Sequence, residues 1–120
     1  MLSIPRGIRI FVALEPTDMR KGIDGLSSLV RHYGEDVFGG HLFVFLSRRR
    51  DRLKILAWDN GGFVVYYKRL EKGRFPAVIG EAGENTVQLG AADLHLLLDG
   101  VDFHHLERPN LWKPPIKRMA

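Results

Sequence analysis

Along this 120-residue chain the apolar positions fall into runs and repeats that separate it into elements. Ile8 to Leu14 is rich in β-branched and aromatic residues and is entered after Pro5 and Gly7, which predicts a strand. The loop EPTDMRKG follows, with Thr17 or Asp18 placed to cap a helix. Ile23, Leu26, Leu29, Val30 and Tyr33 then recur at spacings of three and four, one face of a helix over 22–33, with Gly34 as its stop. Leu42 to Leu46 has no polar residue, which predicts a strand buried on both faces. Leu53–Trp58 and Phe63–Leu70 read as two more strands. Between them Asp59-Asn60-Gly61-Gly62 supplies residues that accept the positive φ of a tight hairpin.

Beyond Phe75-Pro76 the pattern thins. Residues 80–86 read as a loop, Val87–Leu89 as a short strand, and Ala91–Asp99 as a helix ended by Gly100. From Leu106 on there are three prolines and no period, which suggests a tail or docking arm over 106–120 carrying Trp112. The expected architecture is a single α+β domain over 1–105. It consists of an antiparallel meander of four to five strands, one main helix packed on it, and a second short C-terminal helix.

Composition narrows the chemistry. The chain has no cysteine, so disulfides, thiolate metal sites and a cysteine nucleophile are excluded. Its start lacks a signal-peptide pattern, and runs such as Leu42–Leu46 fall far short of the roughly 20 apolar residues that cross a bilayer. A cytoplasmic protein without a membrane partner is therefore expected.

Charge is unevenly placed. Of the 18 Lys and Arg and 14 Asp and Glu, nine bases and three acids lie between Ser47 and Arg74, a net of +6. The remaining nine bases and eleven acids give −2, so one segment carries the whole excess behind the net +4. Clustered positive charge is the footprint of a polyanion binder, although many basic surfaces are only solvated. Arg48, Arg49, Arg50 and Arg52 fall in the loop between two strands, with Lys54 just inside; Lys68, Arg69, Lys72 and Arg74 follow along the next strand. A two-residue turn at Asn60-Gly61 sets Trp58 opposite Phe63, Leu56 opposite Val65, Lys54 opposite Tyr67 and Arg52 opposite Arg69. Two arginines face to face repel unless a carboxylate, here Asp51 or Glu71, or an outside anion lies between them. The stripe of aromatics on that face reads either as core or as a stacking platform for bases. Arg20 and Lys21 read either as closing a turn against a carboxylate or as holding one phosphate at a helix start.

Three blocks, TDMRKGIDGL (17–26), GHLFVFLSRRRDRLKILAWDNGGF (40–63) and YKRLEKGRF (67–75), resemble the TnpB accessory proteins (second reading frame) of insertion-sequence family sixty-six. These are distinct from the RNA-guided nucleases of the same name. The GEAGEN loop and Gly90, where the family often starts its helix with serine or threonine, depart from the pattern. The resemblance implies a part in transposition beside a separate transposase.

The residues themselves suggest no catalyst. Asp18, Asp24, Asp51 and Asp59 are acids of the kind that hold metal around a phosphodiester, but each has an ordinary use as a cap, first-turn acid, counter-charge or turn residue. His41, His95 and the adjacent His104-His105 lack ligand spacing. The expectation is a non-catalytic protein without cofactor or metal, in contact with DNA phosphates, its cognate transposase, or both. Homo-oligomerisation is left open. The alternative is a module that docks on the transposase without touching DNA.

Overall fold

The computed structural model describes residues 4–101; His104-His105, the expected arm over 106–120 and Trp112 lie outside the described residues. The elements in chain order are β1 (Ile10–Ala13), α1 (Ile23–His32), β2 (Leu42–Leu46), β3 (Arg52–Asp59), β4 (Gly62–Arg69), β5 (Thr86–Leu89) and α2 (Ala91–Leu98). The fold is α+β. Among the described residues five strands form one sheet in the order β4-β3-β2-β1-β5.

The sheet is mixed. β2, β3 and β4 form the expected antiparallel meander, and β5 joins β1 antiparallel, but β1 and β2 run parallel. The expectation of an all-antiparallel sheet is corrected here, and the reason is the placement of α1. A helix between two strands carries the chain back to the end where it started, so the second strand must run beside the first in the same direction.

Alternation along the strands sorts side chains onto two faces. Phe11, Ala13, Phe43, Phe45 and Leu56 point to one side, where α1 covers them with Leu26 and Val30. Ile10, Val12, Val44, Leu46, Leu53 and Ile55 point to the other, against Leu94, Leu97 and Leu98 of α2 and the buried ring of Phe75. Leu42–Leu46 is thus apolar throughout because both its faces are covered. Each fully buried leucine or phenylalanine contributes roughly 1.5–3 kcal/mol of apolar transfer, which holds the three layers together.

Helix ends follow glycine more than side-chain caps. α1 starts after Gly22 with no side-chain cap, so neither Thr17 nor Asp18 caps it. Both lie too early in the chain, and Asp18 instead accepts the Arg20 N–H at 2.9 Å across a turn. At the other end Gly34 has φ 85°, and the Glu35 N–H reaches back to the Val30 carbonyl at 3.0 Å. Gly100 does the same for α2, with Val101 N–H donating to Leu96 O at 2.9 Å. The left-handed conformation needed there costs glycine nothing.

Candidate nucleic-acid interface

Strand direction decides which basic residues meet. β1, β2 and β4 all run toward one end of the sheet, and β3 starts there. That end gathers the β1–α1 loop, the arginine loop between β2 and β3, and the segment leaving β4. The β1–α1 loop is pinned in place by the Thr17 N–H, which donates to Leu46 O at the end of β2 at 2.8 Å. Parallel pairing of β1 and β2 therefore brings Arg20 beside Arg48 and Arg49, a juxtaposition that an antiparallel ladder would not give.

The arginine loop is closed from within. Ser47 N–H donates to Arg52 O at 3.0 Å, and Arg50 N–H donates to Ser47 O at 2.9 Å. The Ser47 hydroxyl donates to Asp51 at 3.2 Å and accepts the Arg52 N–H at 3.1 Å. Arg50 sits at φ 58°, a left-handed conformation that costs a non-glycine residue about 1–2 kcal/mol. The surroundings hold it there: its carbonyl accepts the N–H of Phe75 at 2.6 Å, and Phe75 is fully buried. Leu70 N–H donates to Asp51 O at 2.8 Å, so the chain leaving β4 is tied to the loop twice.

Between this loop and the β1–α1 loop lies an open hollow of about 490 Å³. Its lining includes Arg20, Arg48, Arg49 and Arg52, with Asp18, Asp51, Thr17 and Tyr67. Arg48 and Arg49 are exposed and Arg52 is half-buried. None of the three forms an ion pair with a described residue. Arg20 does: it grips Asp18 through two nitrogens, the shorter contact being 2.7 Å. Its guanidinium holds the Asp18 carboxyl well below the usual carboxylate range.

The remaining predicted residues divide. Arg69 faces Arg52 across the ladder, as the turn geometry requires, and its charge is met by Glu71 at 3.0 Å. Lys72 and Arg74 are exposed beyond β4, without a described ion-pair partner, and so is Lys21. Arg50 is half-buried and likewise unpaired among the described residues. Two lysines are spent on architecture. Lys54 donates to the carbonyls of Met19 and Lys21 at 2.8 and 2.9 Å, which fastens the β1–α1 loop to the sheet. Lys68 points to the opposite face and donates to Leu98 O at 2.7 Å, at the end of α2.

The aromatic stripe is core at one point and surface at another. Leu56 is fully buried, Trp58, Phe63 and Val65 are half-buried, and Tyr67 is exposed. Phe38, which the sequence pattern did not single out, stacks edge-on against Trp58 at 5.1 Å and covers the stripe. Tyr67 stands at the rim of the hollow, its ring 5.4 Å from the Lys54 ammonium. The sequence pairing of Lys54 with Tyr67 was the signal for it.

Among the described residues no three His, Asp or Glu converge as metal ligands, and His41 accepts the Arg9 N–H through Nδ1 at 2.9 Å. No described helix is long and apolar enough to cross a membrane.

Comparison with known proteins bears on what this surface belongs to. The chain is 33% identical over 115 residues to "Uncharacterized protein y4jC" of Sinorhizobium fredii (strain NBRC 101917 / NGR234), covering 95% of this chain and 97% of that protein. It is also 33% identical over 115 residues to "Uncharacterized protein y4hO" of the same strain, covering 95% and 96%. No solved structure matches. The model of the family described as "IS66 Orf2 like protein" matches residues 8–108, which takes in all the described strands and helices and the arginine hollow. The chain belongs to the IS66 Orf2-like family, and its role is that of an accessory protein associated with transposition.

Proposed function

We propose that this accessory protein acts without catalysis of its own, holding DNA by its phosphate backbone at the arginine end of the sheet while it works beside the element's transposase. The observation that carries the reading is the hollow ringed by Arg20, Arg48, Arg49 and Arg52, three of them free of carboxylate partners among the described residues. Arginine forks hold phosphate oxygens in pairs, and contacts of that kind position a duplex or strand without reading its sequence. Lys72 and Arg74 extend the same surface beyond β4. Tyr67 at the rim offers an exposed ring where an unpaired base would stack.

Gel-shift titration across a salt series tests the reading. Each phosphate contact removed by Arg48→Ala or Arg49→Ala lowers the log–log salt slope by about 0.9 on duplex DNA. No shift of duplex or single strand at about 50 mM salt and micromolar protein would sink it, since non-specific binders reach that range. Association with the transposase is read by co-purification with nuclease present. A complex that survives nuclease while DNA binding is absent, and that is lost in Arg48→Ala and Arg49→Ala, assigns the same basic face to a protein dock.

A further inference from the structure

The sheet has two edges of very different character. β5 exposes four residues, Thr86–Leu89, whereas β4 exposes eight, Gly62–Arg69. Six of those eight, Gly62 to Tyr67, read GFVVYY, with no proline, no charge and no bulge against β3. Proteins usually blunt a long edge with those devices, because unpaired N–H and C=O groups are a template for another strand. Here the charges come only at the last two positions, Lys68 and Arg69, and the Lys68 ammonium is turned away to Leu98 O.

The direction of the free groups follows from the ladder. Asp59 and Gly62 close the two-residue turn, and Leu70 N–H donates to Asp51 O, so the even-numbered residues of β4 bond to β3. The N–H and C=O of Phe63, Val65, Tyr67 and Arg69 therefore point outward, and no described strand meets them.

We propose that this edge pairs with a second copy of the chain, β4 antiparallel to β4 about a two-fold axis through Val65, making a continuous sheet of two five-stranded halves. The strand is self-complementary in that register. Phe63 falls opposite the partner's Tyr67, Val64 opposite the partner's Tyr66, and Lys68 opposite the partner's Gly62. Aromatic and β-branched residues placed directly opposite are the pairs that stabilise a ladder. The antiparallel sense also sends the Lys68-Arg69 end of each copy toward the Asp59 turn of the other, where a parallel ladder would set like charges face to face. Val64 and Tyr67, both 51% exposed, gain cover. An interface of this kind is isologous, the commonest arrangement of soluble oligomers. It does not rest on the DNA reading, but the two share Tyr67, since a copy paired at β4 covers the ring on which a base would stack.

The test uses the full chain, which has no cysteine of its own. Mass measured by light scattering from about 1 to 100 µM is expected to rise from one copy to two. Val65→Cys, on the axis, is expected to cross-link under mild oxidation, since directly opposite residues lie about 5.5 Å apart at Cα, within disulfide reach. Phe63→Cys is expected not to, being displaced along the strand from its own copy. Val64→Lys, an exposed position, is expected to weaken the dimer at least about tenfold with the circular dichroism spectrum unchanged. A monomer at every concentration overturns the proposal. So does a dimer that Val65→Cys fails to trap, or one indifferent to Val64→Lys. Protection of β4 amides from exchange only when transposase is added also overturns it and assigns the edge to that protein.

Discussion

Two hairpins leave the ends of β3, and they solve the same problem differently. The Asn60-Gly61 turn is the shorter: both residues have positive φ, 46° and 84°, and the flanking strands pair up to Asp59 and Gly62. Its residues are those the geometry prefers, and nothing else is needed. The Ser47–Arg52 loop puts an arginine in a left-handed conformation and compensates with hydrogen bonds that Ser47 accepts from Arg50 and Arg52 and one that the Phe75 N–H donates to Arg50 O. Real proteins break local rules most often at functional or strained sites, and the contrast agrees with the use proposed for the arginine end.

Breaking the compensation has the largest effect. Phe75→Ala keeps the amide bonded to Arg50 O but empties the core site that fixes its position, and is expected to cost about 3–5 kcal/mol in urea unfolding. Gly61→Ala strains the other turn and is expected to cost about 1–2 kcal/mol, with the salt slope of DNA binding unchanged. Arg50→Gly sharpens the comparison because the signs diverge. It relieves the strained position, so stability is expected to rise by about 1 kcal/mol, while affinity for DNA falls if the guanidinium meets phosphate. A loss of stability would show that Arg50 is held by more than its carbonyl.

The smallest effect is on pH. The Asp18 carboxyl is lowered by its bonds to Arg20, so the stability it lends is present above its ordinary value of 3.8 and is lost as pH falls below it. Asp18→Asn is expected to flatten that acid limb slightly, since the pair is exposed and screened. Acid unfolding curves of the two proteins, compared below about pH 4, check it.

Much of this was legible beforehand because it is local. The Asn60-Gly61 register, the Arg52–Arg69 facing pair, the doubly buried β2 and the glycine stops at Gly34 and Gly100 each depend on a few adjacent residues. What escaped depends on contacts distant in sequence. The parallel β1–β2 pairing rests on where α1 packs, and it is that pairing which seats Arg20 beside Arg48. Nor does a lysine's composition reveal whether its ammonium meets solvent, like that of Lys72, or backbone carbonyls, like those of Lys54 and Lys68. Charge along the sequence places the bases of Ser47 to Arg74 in one segment, whereas the fold divides them between two faces, Lys68 lying on the face opposite Lys54 and Arg52.

The Lys54 clamp has a consequence for any charge-by-charge survey of the molecule. Neutralising Lys54 would release the loop that presents Arg20, because two backbone oxygens 33 and 35 positions away in sequence lose their donor. The resulting drop in DNA retention would resemble the loss of a direct contact, yet its origin would be a misplaced neighbour. Replacement by arginine, which restores the charge but not the reach or shape of the ammonium, separates the two causes.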